Sequence, residues 1–194
     1  MNSSVKTDPV SLTNRARIQA ALSRKKCDRL PFGELVIDHR CAEAVLGRPT
    51  PVHNIPMWLD RMSEGDWEGL VAQEVRDRID LGLELGLDWL SVDMNYSRDF
   101  APVRKIDANR WEHRGTVITY DPATWVVSYS WQKSGSMDVD KYAEDILRAK
   151  PPQGVDESTF EVIRRMRQQL QEQQLDIPMV MRNYMMSVQN HLEL

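Results

Sequence analysis

RARIQAALSRKKCDRLPFGELVIDH, residues 15–39, decides how the rest of the chain is read. It opens as an amphipathic helix, predicted over Thr13–Arg24, with Ile18, Ala21 and Leu22 on one side. A Cys27-Asp-Arg-Leu-Pro31 turn follows and leads into Leu30–Ile37 (LPFGELVI), a short and nearly continuous apolar run. A run of that length beside a proline predicts a buried parallel strand rather than a helix. The strand ends in residues that can do chemistry: Glu34, Asp38, His39 and Arg40.

Downstream the same texture returns. His39–Leu46 predicts a short helix closed by Gly47-Arg48-Pro49, the expected glycine-then-proline exit. Pro49, Pro51 and Pro56 predict a loop or extended crossing over 49–56. Asp66–Leu85 has Trp67, Leu70, Val71, Val75 and Ile79 at helical spacing, leaving Glu68, Gln73, Arg76, Asp77 and Asp80 for the wet side. Ser63 and Asp66 offer a cap for its start. That helix runs through Gly86 into Asp88–Asp93 (DWLSVD), a helix–glycine–strand order typical of βαβ units.

Residues 110–131 read differently. Thr116–Tyr120 and Trp125–Trp131, joined at Asp121-Pro-Ala-Thr124, predict a β-hairpin with Trp125, Val127, Tyr129 and Trp131 on one face. Helices are then predicted over Tyr142–Ala149 and Ser158–Gln173, the second with a Ser158/Glu161 capping box and an apolar face of Phe160, Ile163, Met166 and Leu170. Ile177–Met181 (IPMVM) predicts a third apolar strand, and Ser187–Leu194 the start of another helix.

Composition sets the outer limits. The chain has 194 residues, 41% hydrophobic and 28% charged, which suits a soluble globular protein with a sizeable core. A net charge of −4 supplies no attraction to nucleic acid or an anionic membrane. No apolar run approaches the ~18 residues of a membrane helix. The opening MNSSVKTDPVS lacks a signal-peptide core, so the expectation is a cytoplasmic protein with residues 1–12 flexible and one domain over 13–194. Cys27 and Cys41 are too few for a disulfide framework.

Helix, Cys-Asp-Arg-Leu-Pro turn and first strand together resemble the opening of the uroporphyrinogen decarboxylase superfamily. Weaker echoes are Leu85-Gly-Leu-Asp88, Trp111 with Gly115-Thr116-Val117, and the Lys150-Pro-Pro152 proline pair; they point to the divergent, methyltransferase-like branch. The resemblance implies an α/β fold: an incomplete (β/α)8 TIM-type barrel covering about the first three strands, with an inserted β-hairpin. A closed barrel takes about 250 residues, so the expectation is the N-terminal half of a larger enzyme. The alternative is a non-catalytic half-barrel that docks on a partner, or a truncated product.

The same resemblance supplies the candidate site. Asp93, at the second strand's C-terminal end, matches the aspartate that engages pyrrole N–H groups in the decarboxylase; the structural alternative is that it ends a strand and caps a turn. Glu34, Asp38 and His39 are the further catalytic candidates, and Arg40, Asn95 and Tyr96 the substrate-binding ones. The decarboxylase's substrate-binding Arg-Gln-Ala-Gly-Arg stretch is absent, and Arg40 alone makes no paired clamp. That leaves corrinoid-linked methyl transfer to a small acceptor as the expected activity and uroporphyrinogen decarboxylation as its alternative. The implied partners are a small-molecule, tetrapyrrole or corrinoid substrate and a corrinoid protein. Family zinc ligands come from the later half of the barrel, so the resemblance implies no cofactor in this chain, a corrinoid partner and zinc belonging to the complete enzyme, and His39-Arg-Cys41 is assigned no metal; Cys41, Ala44 and Val45 share a helical face suited to packing. The aromatic face of the hairpin and Met179, Met181, Met185 and Met186 are read as packing.

Overall fold

The computed structural model describes residues 11–98, 103–113, 115–131, 148 and 156–181. Four helices come first: α1 (Asn14–Leu22), α2 (His39–Leu46), α3 (Ile55–Ser63) and α4 (Trp67–Glu84). Strand β1 (Leu90–Val92) follows, then β2 (Arg104–Asp107), β3 (Arg110–His113), β4 (Thr116–Asp121) and β5 (Val126–Trp131). A 3₁₀ turn (Glu157–Phe160) leads into α5 (Glu161–Glu172), and β6 (Met179–Met181) is last. This is a mixed α/β protein with two small sheets, and the described residues do not close a barrel. The predicted segments 142–149 (Arg148 apart) and 187–194, with Met185, Met186 and His191, lie outside the described residues, as does the side chain of Trp131.

The first sheet pairs β1 with β6 in parallel, Leu90 opposite Met179 and Val92 opposite Met181. The helix preceding each strand packs behind the sheet, and α4 lies against α5. Trp67, Leu70, Val71, Val75 and Ile79 of α4 meet Leu90 and Val92 of β1 and Val162, Met166 and Leu170 of α5 in one core. Gly82 permits this approach, because a Cβ there would overlap the Leu90 side chain. Each fully buried aliphatic side chain contributes ~1.5–3 kcal/mol, so this α4–β1–α5 layer carries most of the apolar stabilisation.

The predicted first strand is a correction. Residues 30–37 form no strand and bend at Leu35, and Leu30 is 84% exposed, with Phe32, Leu35 and Val36 about half exposed. The segment nevertheless lies beside β1 and runs the same way. Asp88 N–H donates to the Phe32 carbonyl (2.6 Å), and the Ser91 hydroxyl donates to the Leu35 carbonyl (2.7 Å). One backbone bond is therefore supplemented by the Asp88 carboxylate, which accepts from Phe32 N–H, and by the Ser91 hydroxyl in place of a regular ladder, and the apolar side chains are left on an open edge. The opposite edge is similar: Met181 is 54% exposed rather than filling a core.

Ion pairing explains several other departures. On α1, Leu22 is 81% exposed while Arg17 is buried, because the guanidinium pairs with Asp28 and Asp88. Asp77 belongs to the interior, not the wet side of α4, and it accepts from Arg48, Arg76 and Gln73. Cys41, Ala44 and Val45 face outward and Ala42 packs instead, against Val52 and Leu81.

Caps differ as well. The loop after α2 ends at Asn54, and Pro56 sits in the first turn of α3, where a missing N–H costs nothing. Ser63 closes α3 by donating to the Asp60 carbonyl, while Asp66 alone caps α4 through Gly69 N–H. Asp156 caps the 3₁₀ turn, and Glu161 pairs with Arg165 in place of a capping box.

The inserted hairpin is larger than predicted: β2–β5 form a four-stranded antiparallel meander. Charged Arg104, Lys105 and Asp107 concealed β2 from a hydrophobic-pattern reading. Trp111, Val103, Ile118 and Leu59 of α3 make its core. Trp125 is not on the strand face; it closes the β4–β5 turn with φ of +61°.

Candidate functional site

The two ends of the parallel layer have different chemistry. At the N-terminal end, Asp88 is fully buried and accepts from Arg17, from Arg29 and from the Phe32 N–H (2.7 Å). Burial opposes its ionisation, but the Phe32 N–H and the Arg29 and Arg17 guanidiniums outweigh it and lower its pKa. Asp28 of the Cys-Asp-Arg-Leu-Pro turn takes Arg17 Nε at 2.8 Å and Nη2 at 2.8 Å, and its other partners are the Leu12 and Arg29 N–H groups. The Arg17 fork holds the Asp28 carboxyl far below the usual range. That turn is therefore a structural clasp.

The C-terminal end holds the sequence candidates. Arg78 reaches from α4 across the end of β1, 8% exposed, and donates to the Ser91 carbonyl at 2.9 Å. Its Nε pairs with Glu74, and its Nη2 lies 3.6 Å from Asp93 Oδ2. Glu34, from the 30–37 segment, lines a cleft of about 20 Å3 together with Arg78, His53, Ser91, Ile37 and Leu90. Arg78 thus pairs with Asp93 and shares the lining of the cleft with Glu34. The second oxygen of Glu74 is buried and has no hydrogen-bond partner among the described residues.

The remaining candidates spread outward. Asp38 caps α2 by accepting from Arg40 N–H at 2.9 Å. His39 Nδ1 is 3.8 Å from Asp38 Oδ2, beyond hydrogen-bonding range. The Arg40 guanidinium stacks over the Trp125 ring, 4.1 Å from its centroid. Asn95 turns toward α5: its amide donates to the Ser158 carbonyl and its oxygen accepts from Val162 N–H. Tyr96 packs its ring against Trp58 and gives its carbonyl to the Trp67 indole N–H (2.9 Å). The structure therefore pairs Asp93 with Arg78, puts Glu34 on the cleft that Arg78 also lines, keeps Asp38, His39 and Arg40 together on the first turn of α2, and uses Asn95 to anchor the start of α5.

Arg78 and Glu74 are the residues the sequence reading missed. The signal was present: Glu74 lies four residues after Leu70 and four before Arg78, so a charged i,i+4 pair sits inside the apolar stripe of α4. Chemically, the cluster can hold a carboxylate at a strand end in a fixed orientation, as polar-ligand binding or proton transfer requires. Among the described residues, no three His, Cys, Asp or Glu side chains gather into a group able to hold a metal, and no helix is long and apolar enough to cross a membrane. No family model, curated protein or solved structure matches this chain.

Proposed function

We propose that this chain builds one wall of the active site of a barrel-type enzyme of the uroporphyrinogen decarboxylase superfamily, acting in corrinoid-linked methyl transfer to a small acceptor. One observation carries the reading. Residues 30–37, β1 and β6 lie side by side, parallel and in sequence order, as consecutive barrel strands do, and Glu34 and Asp93 stand toward the C-terminal ends where such enzymes work.

In this reading Asp93, steadied by Arg78, binds the polar group of the acceptor. Glu34 shares that guanidinium's cleft and exchanges a proton with the bound molecule. The corrinoid would arrive on a partner protein and supply the methyl group. The described donors do not fit a zinc site, so no step of this wall runs through zinc. Uroporphyrinogen decarboxylation is less favoured, because neither nearby arginine is placed as a substrate clamp: Arg40 is stacked on Trp125, and Arg78 is bonded to Glu74 and the Ser91 carbonyl.

The exposed row of Leu30, Phe32, Leu35, Val36, Val180 and Met181 favours a second reading, a half-barrel that binds another chain along its open edges. The test is turnover of methylcobalamin with a thiol acceptor by the native polypeptide, followed by corrinoid absorbance, for wild type and Asp93→Asn. Methyl transfer that falls about 10²-fold or more in the variant supports the enzyme reading. Turnover by wild type that Asp93→Asn leaves intact removes Asp93 from the site, and no turnover by wild type removes the methyl-transfer assignment.

A further inference from the structure

The meander is anchored at one end and reaches out at the other. Its root is fixed on α3: the Trp111 indole N–H donates to Asp60 Oδ1 (2.7 Å), Lys105 pairs with the same oxygen (2.7 Å), and Trp111 and Ile118 are buried against Leu59. Burial then falls along the β4–β5 arm. Ile118 is buried, Tyr120 and Val127 are partly so, and Val126 is 56% exposed. The turn at the tip is internally braced. Asp121 accepts from Ala123 N–H (2.8 Å) and the Thr124 hydroxyl (2.7 Å), and its carbonyl takes Trp125 N–H.

This bracing holds Trp125 in the left-handed region, which a bulky side chain rarely adopts, and presents its ring outward. The ring lies under the guanidinium of Arg40, one residue from His39 and two from Asp38. A rigid arm, a strained aromatic tip and one cation stacked on it have the parts of a latch.

We infer that the Arg40–Trp125 stack is a latch that holds the β4–β5 tip against the first turn of α2. A guanidinium on an indole face is a weak, exposed contact, so a ligand that drew Arg40 away would free the tip without disturbing the root. The root's buried packing and its two bonds to Asp60 keep the meander in place when the tip lets go.

The test is 19F NMR of the full chain labelled with 5-fluorotryptophan, with Trp125→Phe to identify the tip resonance and hydrogen exchange of the amides in 126–129 recorded alongside. Arg40→Gln removes the cation and is expected to shift the Trp125 resonance toward that of a solvated indole. Exchange at 126–129 is expected to speed up at least threefold, with the Trp111 resonance unmoved, and Arg40→Lys is expected to fall between. An unchanged Trp125 resonance and exchange rate in Arg40→Gln would overturn the latch. Movement of Trp111 together with Trp125 would overturn it as well, because the root would then be responding as one body with the tip. Neither readout needs catalytic turnover, so a failure of the methyl-transfer reading leaves the result legible.

Discussion

Two aspartates bracket a three-residue strand, and they are held in opposite ways. Asp88, before β1, is fully buried and takes two guanidiniums and a backbone N–H. Asp93, after β1, keeps 17% of its side chain exposed and lies 3.6 Å from a guanidinium already bonded to Glu74 and the Ser91 carbonyl. The first arrangement is saturated, so it fixes the chain and leaves no capacity for a ligand. The second retains exposure, and its arginine lines a cleft. One strand thus separates an end built for stability from an end suited to chemistry, the division that parallel α/β folds follow.

The largest expected effect comes from the saturated end. Arg17→Leu leaves Asp28 and Asp88 short of their shared cation, and urea unfolding should show a loss of about 3–5 kcal/mol. Acid should attack the same place. The carboxyls of Asp28 and Asp88 are depressed in the folded state, so the stability they contribute is present above the unfolded carboxylate value of about 3.9. It is lost as pH falls through their lower folded values. Unfolding midpoints should therefore hold steady from neutrality down to about pH 4 and fall below it, and Asp88→Asn should blunt that fall. A midpoint that declines already between pH 7 and 5 would point to a different group.

A smaller loss is expected where the 30–37 segment meets β1. A Cβ on Gly33 would overlap the Trp89 ring, so Gly33→Ala should cost about 1–3 kcal/mol in urea unfolding. Asp38→Ala, which removes the cap on α2, should cost about 1 kcal/mol.

How much of this was legible in the sequence follows from which force sets each feature. The long helix, the Asp88–Asp93 strand, the helix ended by Gly47 and the β4–β5 hairpin were readable, because apolar period, glycine and turn chemistry act locally. The 30–37 segment was placed in the right position but misread as a buried ladder strand. Its apolar composition says nothing about the neighbour that would cover it, and besides one backbone bond from Asp88 its bonds to that neighbour come from the Asp88 and Ser91 side chains. Strand β2 was hidden by its charges. The role of Asp28 and Arg29 was hidden because their partners, Arg17 and Asp88, lie 11 and 59 residues away. For the site, the sequence named Asp93 and Glu34 but not Arg78, which pairs with Asp93 and lines the cleft with Glu34, since a helix arginine is ordinarily solvated.

The comparison is tested most directly by urea unfolding of Asp88→Asn and Asp93→Asn side by side under one set of conditions. The account predicts a loss of several kcal/mol, about 3–5, for Asp88→Asn, which leaves Arg17 buried without its full pairing, and less than about 1 kcal/mol for Asp93→Asn. Equal losses in the two variants would contradict it, because Asp93 would then be one more strut of the fold rather than a carboxylate held ready at the strand's working end.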